Sequence, residues 1–86
     1  MDQSPFISDD EINEIKRRCT EATLGPWRSY VEEREEMSGS DFIMTAGQDI
    51  YLTGATVADQ DFIAHARQDI PRLVAEIERL RKLLSA

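Results

Sequence analysis

Over residues 57–84 apolar side chains return at alternating steps of three and four: Ile63, Ala66, Ile70, Leu73, Ile77, Leu80 and Leu84. That spacing predicts a long amphipathic helix with one apolar stripe. A shorter pattern of the same kind, Ile12, Ile15, Cys19 and Ala22, predicts a first helix over 8–23. Ser8 and Glu11 form a capping box at its start, and Asp9, Asp10 and Glu11 lie where the helix dipole favours negative charge. Gly25 and Pro26 are expected to end it, the glycine as a left-handed cap.

Between the helices the period drops to two. Trp27, Ser29 and Val31 face one way, and Arg28, Tyr30 and Glu32 the other. Glu32 to Ser40 reads as an acidic loop. Residues 41–46 and 49–53 then predict a hairpin about a two-residue turn at Gly47-Gln48, with Thr45 opposite Ile50 and Ile43 opposite Leu52. Both faces of that hairpin are apolar: Ile43, Ile50 and Leu52 on one, Phe42, Met44 and Tyr51 on the other.

The pattern as a whole reads as a single domain over 1–86 of the α+β class, in the order α-β-β-β-α. A helix over 8–23 precedes a three-stranded antiparallel β-meander over 27–53, and Thr56 caps the long helix over 57–84. Pro71 removes a backbone hydrogen bond inside that helix and crowds the Arg67 carbonyl, which predicts a kink near 69–71.

The long helix is out of proportion to the chain. As continuous helix residues 58–84 span about 40 Å, whereas a compact chain of 86 residues has a radius of gyration of roughly 12 Å. Ile77, Leu80, Leu83 and Leu84 are therefore expected to project past the domain. Either the first helix covers them, or a second copy does so in a short coiled coil of about three heptads. A homodimer through this helix is the expectation.

Charge narrows the partners. Seventeen acidic residues against ten basic ones give a net charge of −7, which repels nucleic-acid phosphates and anionic membranes and favours a basic partner. Cys19 is the only cysteine, so an internal disulfide and a multi-cysteine metal site are excluded. The opening residues show no secretory signal, and no stretch reaches the roughly 20 apolar residues of a membrane span. A cytoplasmic protein is expected.

Candidate chemistry is sparse. Asp61, His65 and Asp69 recur at helical i,i+4 spacing, away from the apolar stripe, where a solvated row of charges is the simpler reading than a metal site. Cys19 and His65 would form a nucleophile and base only if the fold joined them. There is no glycine-rich phosphate loop and no nucleophile motif, so neither an enzyme nor a cofactor or metal is expected. Glu32, Glu33, Glu35, Glu36 and Asp41 make the densest acidic run, without the alternation of a calcium loop. Interface candidates are the Phe42, Met44 and Tyr51 face, the acidic run, and the stripe at Ile77, Leu80 and Leu84.

Two segments carry a resemblance. Ala22-Thr23-Leu24-Gly25-Pro26-Trp27 is similar to an A-T-P-G-P-W signature that follows a short helix, with Leu24 where proline is commoner. Residues 58–67, Ala-Asp-Gln-Asp-Phe-Ile-Ala-His-Ala-Arg, followed by Ile70-Pro71, Leu73 and the leucine-rich 76–81, are similar to a D-x-x-F-I-A-x-A-R/N segment. Together the chain resembles small uncharacterised phage and prophage accessory proteins of the Ead type from lambdoid early regions, over about residues 11–81. The resemblance implies a phage or mobile-element origin and lends no catalytic residue. The expected function is a non-enzymatic protein-interaction module, the alternative an acidic inhibitor or immunity-type protein that blocks a basic, nucleic-acid-binding partner.

Overall fold

A computed structural model describes residues 6–35 and 40–85, the Glu35 side chain excepted. Helix α1 (Asp9–Glu21) begins where the Ser8 hydroxyl accepts the Glu11 N–H at 3.1 Å, while the Glu11 carboxylate accepts the Ser8 N–H at 3.4 Å. Two orphan donors are satisfied reciprocally, as the capping-box sequence predicts. The C-terminal end differs from expectation. Ala22, in extended conformation, closes the helix, and its N–H donates to the Arg18 carbonyl. Gly25 is joined to Pro26 by a cis peptide bond, and among the described residues the glycine with positive φ is Gly54 at 81°.

Two short strands follow, β1 (Arg28–Tyr30) and β2 (Phe42–Met44), paired antiparallel with Arg28 opposite Met44, Ser29 opposite Ile43 and Tyr30 opposite Phe42. Glu32–Glu35, expected in a loop, forms a single helical turn, α2, whose first N–H donates to the Asp41 carboxylate at 2.9 Å. The expected third strand is reduced to one bridge. Ile43 and Ile50 exchange both backbone hydrogen bonds at 2.8 Å, so Ile43 faces Ile50 and not Leu52. The register moves because Thr45 is claimed by the loop. Its buried hydroxyl accepts the Gly47 N–H and donates to the Gln48 carbonyl, each at 2.9 Å. A wider turn replaces the two-residue one, since a local side-chain bond competes with the strand ladder.

Helix α3 (Val57–Ser85) runs for 29 residues, without a break at Pro71. It repeats the starting device of α1: the Thr56 hydroxyl accepts the Asp59 N–H at 3.0 Å and Asp59 accepts the Thr56 N–H at 3.1 Å. The sheet packs on its first half and α1, antiparallel, on its second. The fold is thus mixed α+β, with a two-stranded antiparallel sheet and a long last helix. It is elongated, with a radius of gyration of 16.2 Å and extents of 54 × 25 × 21 Å.

Candidate functional site

Helix α3 meets the sheet through polar side chains. Gln60 is only 4% exposed. Its amide donates to the Ser29 hydroxyl at 2.8 Å and to the Tyr30 and Phe42 carbonyls at 3.1 and 3.2 Å, so one group ties both strands to the helix. Two turns on, Gln68 accepts the Trp27 N–H at 2.7 Å and donates to the Trp27 carbonyl at 3.1 Å. Ala64 is buried between the two glutamines and lets the sheet approach. The Trp27 indole N–H donates to the Thr23 carbonyl at 3.0 Å, and the Arg67 guanidinium reaches the same carbonyl at 3.0 Å.

Farther along, α1 lies over Pro71 and Val74. Ile12 and Val74 are buried, and ion pairs bracket the contact: Lys16 with Glu78 at 3.1 Å and Arg81 with Asp9 at 2.7 Å. Arg81 also donates to the Ile7 carbonyl. Helix α1 thereby reaches almost to the end of α3, and only the last turn projects. The expected projection of Ile77 and Leu80 past the domain does not occur, because α1 runs alongside α3 as far as Arg81.

The apolar stripe nonetheless stays uncovered. At 100° per residue the stripe lies about a quarter-turn from the line that α1 occupies. Leu73 is 61% exposed, Leu80 45% and Leu84 87%, and Ile63 and Ile70 are exposed as well. Ile77 and Ala66 are half-buried. Phe62 and Leu83, at 77% and 62% exposure, flank the stripe on the side away from α1. On the α1 side the stripe opens into a groove of about 220 Å³ walled by Ile15, Cys19, Ala22 and Trp27. Soluble chains seldom leave so continuous an apolar surface wet.

A second apolar surface lies on the outer face of the sheet. Tyr30 stacks on Phe42 with ring centroids 5.2 Å apart, Phe42 meets Tyr51 at 5.8 Å, and the Arg28 guanidinium sits 4.4 Å over the Tyr30 ring. Met44 and Tyr51 are exposed. The Phe42, Met44 and Tyr51 face thus projects outward, joined by Tyr30, while Ile43 is fully buried and Ile50 and Leu52 are half-buried.

The acidic run is less uniform than its sequence. Asp41 caps α2, Glu32 and Glu33 are exposed, and Glu36 lies outside the described residues. Arg34 crosses to α3 and grips Asp61 with two hydrogen bonds at 3.1 and 2.8 Å. The Arg34 bonds, aided by the Ser29 hydroxyl, hold the Asp61 carboxyl below its ordinary pKa. His65 turns back so that Nδ1 lies 2.8 Å from the Asp61 carbonyl. Asp61 and His65 are each engaged locally, and among the described residues no cluster of three or more His, Cys, Asp or Glu is placed to hold a metal ion. Cys19 lines the groove between the helices, whereas His65 is exposed on a different face of α3.

Among the described residues no helix is long and apolar enough to cross a membrane. Comparison with protein-family models, with curated proteins and with solved structures finds no match to this chain.

Proposed function

We propose that this chain is a non-enzymatic protein-interaction module that self-associates through the apolar stripe of α3. The observation that carries the reading is the exposure of Leu73, Leu80 and Leu84 on a face that α1 could have covered and does not. Full burial of such a side chain contributes about 1.5–3 kcal/mol, and a second copy covers several at once. Self-association leaves the Tyr30, Phe42, Met44 and Tyr51 face and the α2 acids for another partner. The A-T-L-G-P-W and D-Q-D-F-I-A-H-A-R segments support an origin in a phage or another mobile element.

Leu73→Glu combined with Leu80→Glu tests this directly. Both side chains are already exposed in the single chain, so the helical circular dichroism should persist. The molar mass by light scattering should fall from two chains to one. An unchanged mass would show that the stripe is not the contact.

A further inference from the structure

We infer that the second copy lies parallel to the first, so that the two α3 helices run in one direction and both sheets sit at the same end. This rests on the self-association proposed above. In a heptad reading Ile63, Ile70, Ile77 and Leu84 take the first core position, and Ala66, Leu73 and Leu80 the second. Among parallel coiled coils, isoleucine at the first and leucine at the second position favours two strands over three or four, so this core suits a parallel pair.

The flanking charges make the same choice. Asp69 and Glu76 border the stripe on its open side, and Arg67 and Arg81 on the side of α1. Parallel pairing sets each open flank against the partner's α1 flank, five residues on, so that Glu76 meets Arg81 of the second copy. Arg81 retains donors for this, because a guanidinium carries five N–H groups, and Glu76, which already accepts from Arg79 through both oxygens, keeps further lone pairs. Antiparallel pairing of the same stripe sets like against like, Asp69 beside Glu76 on one flank and Arg67 beside Arg81 on the other. Like charges so placed are the usual device for rejecting an arrangement.

Helix α1 gives an independent reason. It occupies one flank only, level with residues 67–81 of α3. In a parallel pair the two α1 helices fall on opposite flanks, each with its own space. In an antiparallel pair both fall on the same flank over the same stretch, with the charged Arg18 of each close to the symmetry axis. The sheet packs on Gln60 and Gln68, away from the stripe, so two sheets at one end do not collide.

The test places a spin label on Ser85→Cys in a Cys19→Ala background. The distance between labels is measured by pulsed electron resonance, and molar mass is taken on the same sample. Parallel pairing predicts two chains and a separation of about 10–20 Å, set by the spacing of adjacent helices plus the label arms. Antiparallel pairing puts the labels about 35–40 Å apart, at 1.5 Å per residue along both helices. Two chains with the long distance would overturn the orientation alone. A mass of one chain, found also for the unsubstituted protein, would overturn the self-association beneath it.

Discussion

The most exacting test of how α3 holds the sheet is Gln60→Glu, an isosteric exchange that leaves packing volume unchanged. The amide nitrogen that donates at 2.8, 3.1 and 3.2 Å becomes an oxygen facing one hydroxyl and two carbonyl acceptors. At a site only 4% exposed, water cannot replace the missing donor. Each lost hydrogen bond is worth about 1 kcal/mol net. Burial raises the new carboxyl's pKa, which adds roughly 2–3 kcal/mol at neutral pH. The expected loss is about 5–6 kcal/mol, a large share of the roughly 4–13 kcal/mol typical for a domain of 86 residues. The sign with pH follows from linkage. The folded state binds the extra proton more tightly than the unfolded state, so the variant regains stability relative to the parent as pH falls from about 7 towards about 4. The neutral acid can also donate one bond back. Urea denaturation followed by circular dichroism, at equal protein concentration, reads both effects. A Glu variant as stable as the parent near neutral pH, or one whose deficit does not shrink in acid, would refute the role assigned to Gln60.

Gln68→Ala removes both amide bonds to the Trp27 backbone and should cost about 1–3 kcal/mol. Trp27 is the only tryptophan, so its emission should shift to the red, and an unchanged spectrum would mean that the clamp does not fix the indole. Arg34→Ala should return the Asp61 carboxyl towards its ordinary value, measured by NMR titration. Because the folded value is depressed, the stabilisation from this pair is present above the unfolded pKa of about 3.9 and is lost as pH falls through the folded value. Gly54→Ala meets no atom within 4 Å but holds φ at 81°, so thermal denaturation should show a loss of about 1 kcal/mol from backbone strain alone.

What could be read from the sequence was local. The Ser8 and Thr56 caps depend on residues three apart, and both form. The hairpin failed for an equally local reason, because the Thr45 hydroxyl builds its own turn and displaces the register. The alternation of Phe42, Ile43 and Met44 survived the change, so the outward aromatic face was legible even though its partner strand was not. The inner face of α3 was hidden for a different reason. Gln60, Ala64 and Gln68 are neither apolar nor charged, so no periodic pattern marks them, and the two glutamines bond to backbone that needs polar partners rather than apolar cover. The available signal was an uncharged row on a helix otherwise rich in charge. The stripe that did attract notice faces out, since periodicity reports that a surface wants cover and not which chain provides it.

The central claim is that the stripe of α3 is covered by a second copy. Light scattering on a sizing column, with the unsubstituted chain over a dilution series, measures this most directly. A mass of two chains that persists on dilution and falls only at the lowest concentrations is the predicted result. A mass of one chain at every concentration would contradict it.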